Sequence, residues 1–181
     1  MGLNIGARNM LGPERFIMKK LALFFICICS TTLGVAQNTA LYGTSGRAVL
    51  ANSNSQRAEV RFEVVGSPTS VAPRGFLDFR TIVTSAAERI HGVALTRATH
   101  LEVNREVAEF AGEAVLFVRS NTGVIRVPGF VRVRVEDRRN PITPGTGRDR
   151  FTMAFMSPTV SFSYSFDGVA IEGDLRVFDR R

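Results

Sequence analysis

The chain reads as an all-β protein, an antiparallel β-sandwich or flattened β-barrel of about nine or ten short strands preceded by a signal peptide. Three observations carry that reading. Phe130 to Glu136 alternates strictly, with Val131, Val133 and Val135 in one phase and Arg132, Arg134 and Glu136 in the other. A period of two built on β-branched residues marks a half-buried strand. The same alternation recurs at hairpin spacing across residues 45–178, and no window of useful length there has a period of 3.6. Stretches rich in Gly, Pro, Asn and Ser separate the alternating ones and read as turns.

The first 36 residues read as targeting rather than fold. Residues 18–36 hold the three parts of a secretory signal: Lys19 and Lys20, an apolar run from Leu21 to Cys29, and a small-residue cleavage site ending at Ala36. The run is shorter than the ~20 apolar residues needed to span a bilayer, so a retained anchor is the weaker reading. Residues 1–17 read as a mis-assigned start or an extended n-region, with translation expected from Met18. Cleavage near Ala36 removes both cysteines, Cys27 and Cys29, and both lysines. The mature domain then has no disulfide and rests on its core and its ladders. Of the formal charge of +7, Lys19, Lys20, Arg8 and Arg15 against Glu14 account for +3, leaving +4 on one domain of common size. The expected location is secreted or periplasmic, with no transmembrane segment in the mature chain.

Residues 37–44 form a loose polar lead-in to a single domain over 45–178. The first strand covers 45–50 and ends in the turn 52–55. Within 58–64, Ala58, Val60, Phe62 and Val64 face inward. Residues 66–73 form a loop, and within 75–80 Leu77 and Phe79 share a side. A helical turn fits 84–88, too short to be a packed helix. Residues 89–96 and 98–103 are two strands or one long strand bent near Arg97, and 104–106 is a tight turn. The strand 107–118 returns, and the Asn121-x-Gly123 spacing suits a hairpin loop leading into 124–134. Pro128 and Gly129 interrupt that stretch and place it at an edge or a bulge. A long Pro- and Gly-rich loop spans 137–147, and 149–155 returns beside 130–136. Residues 159–165 alternate again. Asp167-Gly168 is a turn dipeptide, and 169–178 closes the chain with Val169, Ile171, Leu175 and Val177 in one phase. Closure into a barrel leaves fewer exposed edges than a sandwich.

Three features in order resemble the post-COAP domain, a family of small exported bacterial all-β domains without an established activity. The first is Phe110-Ala-Gly-Glu-Ala-Val115 before the Asn121-x-Gly123 turn. The second is Val133-Arg-Val-Glu-Asp137, followed by Pro144-Gly-Thr-Gly147, Asp149 and Phe151. The third is the closing stretch from Val169 to Val177, with Gly173 before the last strand. The similarity covers most of 43–177 and implies the fold and export, with no chemistry attached. The family's loop opens with polar residues and an early glycine, whereas Arg138 and Arg139 follow the Asp here.

The candidate sites each have a plainer structural reading. Asp137 and Asp149 flank the long loop and could hold calcium with loop carbonyls; capping of turn N–H groups is the simpler expectation. His91 and His100 stand in strand-like stretches without the partners that catalysis or zinc requires. No serine sits in Gly-x-Ser-x-Gly, and Ser161, Ser163 and Ser165 read as a polar strand face. Glu109 and Glu113 lie on one face about 13 Å apart at ~3.3 Å per residue, too far for a glycosidase pair. Arg132, Arg134, Arg138, Arg139, Arg148 and Arg150 could attract a polyanion, but interleaved acids argue against nucleic acid. An outer-membrane barrel lacks its aromatic girdles here, with no Trp and two Tyr, and its strands need ~9–11 residues.

The expectation is therefore an exported, non-catalytic structural or binding module with an envelope or extracellular partner, and no catalytic, cofactor or metal residue assigned. Its competitors are a carrier of an apolar ligand between the sheets and a small secreted hydrolase. A pocket of a few hundred Å3 lined by Phe and Leu would mark the carrier. A cleft where Asp or Glu meets His91 or His100 would mark the enzyme.

Overall fold

The computed structural model describes residues 41–82, 91–120, 123–138 and 147–180. The signal segment, the stretch before it, residues 37–40, the helical turn expected at 84–88, Asn121 and residues 139–146 of the long loop lie outside them. The described chain forms β1 (Tyr42–Ala51), β2 (Arg57–Gly66), β3 (Arg74–Ile82), β4 (His91–Asn104), β5 (Val107–Ser120), β6 (Gly123–Glu136), β7 (Arg150–Ser157) and β8 (Phe162–Asp179). Each strand pairs antiparallel with the next, and β8 pairs back onto β1 to close an up-and-down barrel.

Eight strands stand where nine or ten were expected, because two expected breaks are bridged. The two stretches expected at 89–96 and 98–103 join, over the described residues, in the single strand β4 (His91–Asn104), with register shifts between Leu95 and Arg97 and between Ala98 and His100. These shifts realise the bend expected near Arg97. Asp167-Gly168 is not a turn. β8 runs through it for 18 residues, with Gly168 opposite Phe151 of β7. A Cβ on Gly168 would meet the Ala51 carbonyl oxygen at 2.9 Å and the Phe166 ring at 2.7 Å. The glycine therefore serves close strand approach, and pairing with β7 overrides the local turn preference.

The phase expected for the last strand is also corrected. Ala170 and Leu175 both face the core, although they lie five positions apart and an unbroken alternation would put them on opposite faces. The β1–β8 register shifts between Val49 and Leu50, which face Glu172 and Ala170. Ile171 is thus the extra residue of a bulge, and it turns Val169 and Ile171 outward while Leu175 and Val177 turn in. Gly173, at φ +87°, accommodates the distortion, since a Cβ there would lie 2.1 Å from the Arg47 carbonyl oxygen.

Elsewhere the alternation translates directly into faces. Ala58, Val60, Phe62 and Val64 are buried, as are Leu77 and Phe79, and Val131, Val133 and Val135. Phenylalanines fill the interior in contact with one another. Phe62 meets Phe110 at 5.9 Å and Phe151 at 5.8 Å between ring centroids. Phe79 stacks on Phe151 at 6.1 Å and tilts onto Phe166 at 5.1 Å.

Outward positions carry charge. Arg57, Glu59, Arg61 and Glu63 stand exposed in succession along β2. Most strands prove longer than the sequence suggested and would suffice to cross a bilayer, with β4, β5 and β6 at 14 residues each. The charged outward row of β2 is what rules out a lipid-facing band on that side, where a membrane barrel needs apolar side chains.

Truncating the ring at the centre of the interior should be costly. Phe62→Ala is expected to lower unfolding free energy by about 3–5 kcal/mol in urea denaturation. Phe130→Ala, on the outer face, should cost under about 1 kcal/mol.

Candidate functional site

Two carboxylates tie the base of the long loop to the final strand. Asp149 is buried, and its two oxygens accept the N–H of Arg138 at 3.0 Å and of Leu175 at 3.2 Å. Asp137 Oδ2 accepts the N–H of Val177 at 3.2 Å, while the Asp137 N–H donates to the Glu106 carbonyl at 2.8 Å. The Asp149 carbonyl takes the Ala170 N–H at 2.8 Å. The bond to Arg138 is the turn cap that was expected, and the bonds to Leu175 and Val177, which were not, fasten both ends of the loop onto β8. Among the described residues no group of three or more His, Cys, Asp or Glu side chains could hold a metal ion.

Of the arginines at the loop, Arg138 and Arg150 belong with Arg132 and Arg134 to a ladder of ion pairs on the outer face of β5 to β8, and Arg139 lies outside the described residues. Glu109 accepts Arg132 Nη2 at 2.5 Å and Arg134 Nη1 at 2.7 Å. Glu136 accepts Arg134 Nε at 3.0 Å and is also paired with Arg138. Arg150 Nε donates to Asp167 Oδ1 at 2.8 Å, and Thr152 Oγ1 donates to the same oxygen at 3.2 Å. Glu113 pairs instead with Arg97, so Glu109 and Glu113 serve separate ion pairs. Hydrogen bonds from Arg132 and Arg134 hold the Glu109 carboxyl below its usual range, and Arg150 does the same for Asp167. Burial works upward on Glu136, but Arg134 and Arg138 outweigh it. With these guanidinium groups engaged by carboxylates, the face offers a polyanion much less than its arginine content suggests.

The histidines stand apart. His100 is exposed on the irregular half of β4. His91 lies at the barrel end, its ring 4.6 Å from that of Tyr164, and its backbone N–H donates to Thr81 Oγ1 at 2.9 Å. Burial pushes the Tyr164 hydroxyl up to about 12. Ser163 and Ser165 are exposed on β8, and Ser161 lies in the turn before it. Ser163 and Ser165 form the polar strand face expected, and Ser161 falls outside the strand.

Three shallow grooves of about 440, 550 and 560 Å3 cross the outer surface. The first two are lined largely by charged side chains, among them Arg47, Glu59 and Glu172 in one and Glu102, Arg105 and Glu106 in the other. The third runs past Ala94, Phe117, Arg119 and Val124. The apolar residues exposed around it went unrecognised in the sequence. The available signal was phase, since Val124 shares the outward phase of Arg132 and Arg134 rather than that of the buried valines. Compared with family models, curated proteins and solved structures, the chain matches none of them.

The carboxylate shifts set an acid dependence. A depressed folded-state pKa contributes stability that is present above the unfolded value and is lost as pH falls through the folded one. The urea midpoint should therefore hold from neutrality to about pH 5 and decline below about pH 4. Glu109→Gln should flatten that decline, at a neutral-pH cost of about 0–1 kcal/mol for so exposed a pair. Asp149→Ala strips acceptors from two N–H groups and should cost about 2–3 kcal/mol. Calcium or a chelator should leave the melting midpoint of the unaltered protein in place, a shift of several degrees with calcium being the contrary result.

Proposed function

We propose that this chain is an exported, non-catalytic β-barrel that acts as a binding module through its outer surface, at the cell envelope or outside it. The observation that carries the reading is the ring-to-ring packing from Phe110 through Phe62, Phe151 and Phe79 to Phe166. Side chains in that contact occupy the space where a carrier would hold its ligand. The grooves described above lie instead among outward-facing residues. Export rests on the sequence alone, on the lysines, apolar run and small-residue site of residues 18–36. Membership of the post-COAP domain family belongs to the same proposal. It rests on the Val133 to Asp137 motif with Gly147, Asp149 and Phe151, and on the closing strand. Asp137 and Asp149 have a structural part in it, and no hydrolytic role is assigned to them or to the histidines.

Expressing the chain with its own leader and weighing the exported product, denatured and native, tests this. The expected product begins near Gln37 and carries no bound small molecule. A product retaining residues 18–36 would refute export, and a co-purifying lipid would turn the reading to carriage.

A further inference from the structure

The first half of β6 has a strand on one side only. Residues 124–129 pair with β5, whereas pairing with β7 begins at Phe130 opposite Met156. Alternate residues of an antiparallel strand turn their N–H and C=O groups away from the partner. Among the described residues, no strand meets the groups that turn outward here, along about 20 Å of edge at ~3.3 Å per residue. An open edge of this kind is a template for another chain.

Apolar side chains stand exposed around the edge, in contrast to the charged outward row of β2. Val124, Phe130 and Met156, on the outward face, are 59%, 53% and 63% exposed, while Ile125, in the opposite phase, is 53% exposed at the barrel end. Val115 stands opposite Pro128 on β5, and Phe117 stands opposite Arg126. An apolar patch beside an open edge marks an interaction surface.

The charge at this place has one sign. Arg126 lies over the Phe117 ring at 5.6 Å, and Arg119 lines the adjoining groove. The carboxylates of this face are already taken, Asp78 by Arg80 and Glu113 by Arg97. Among the described residues neither Arg119 nor Arg126 is in an ion pair. A second copy of the chain docked by a two-fold axis would bring these cations towards their own mates, which is unfavourable.

We propose that residues 124–129 of β6 accept an extended, acidic segment of another polypeptide as an added strand. Main-chain bonds to the β6 edge hold such a segment, its apolar side chains cover Phe130 and Met156, and its carboxylates meet Arg119 and Arg126. Pro128, which has no N–H, limits the donors at the end of the edge nearer β7. This deepens the binding-module reading and rests on it.

The test is an amide-resolved NMR titration of the isotope-labelled full chain with two short alternating peptides, valine–glutamate and valine–lysine. The expected shifts fall on residues 124–129 and their β5 partners. The glutamate peptide should bind about tenfold tighter, as two partly screened charge pairs allow. The preference should shrink at high salt and reverse in the Arg119→Glu, Arg126→Glu double variant. Methylating alternate peptide nitrogens should abolish binding without touching the protein's folding. Equal affinity for both peptides, absence of binding at millimolar peptide, or self-association through β6 would each overturn the assignment. Glutamate-peptide shifts confined to another face would also overturn it while leaving the binding module standing. A ligand lodged among the interior phenylalanines would remove both.

Discussion

The closure of β8 onto β1 is the constraint on which everything else depends. Without it the sheet would have two long edges and no inside, and Phe62, Phe79, Phe110 and Phe151 would lie on an open face. With it, the rings touch in a series that draws together β5, β2, β7, β3 and β8, and Tyr164 extends the series to His91 on β4. Large rings from several strands meeting near the axis account for how an eight-stranded barrel fills itself. They do so without a disulfide or a Trp among the described residues.

Closure imposes strain that the chain relieves locally. The bulge at Ile171 and the left-handed Gly173 let β8 change face partway along its length, so Ala170 and Leu175 both reach the core. The two register shifts in β4 work in the same way on the opposite side of the barrel order. At the end near the long loop, Asp137 and Asp149 hold β8 N–H groups with carboxylate oxygens. A loop that joins β6 to β7 is thereby anchored on β8, the strand beyond.

The outer surface divides along β6. Its second half carries Arg132, Arg134 and Glu136 and belongs to a ladder of ion pairs. Its first half carries Val124 and an arginine over an aromatic ring, and it lacks β7 as a neighbour. The change comes at Pro128-Gly129. β6 runs unbroken through that dipeptide and parts from β7 just before Phe130. The interruption expected there is thus one of pairing rather than of the strand itself. Pro128 fits because part of this strand is an edge.

The sequence by itself determined which residues face inward over most of the barrel, because period-two burial is a local property of each strand. Val131, Val133, Val135 and the inward row of β2 were legible for that reason. So was the cap that Asp149 places on the Arg138 N–H across the loop, whereas the bonds of Asp137 and Asp149 to Val177 and Leu175 of β8 join residues distant in the chain. Only the tertiary structure decided which strands are neighbours, and those contacts are non-local. It made a barrel rather than a sandwich, kept Asp167-Gly168 extended against β7, and moved Ile171 outward at a bulge. It also left residues 124–129 without a second partner, because β7 ends before it reaches them.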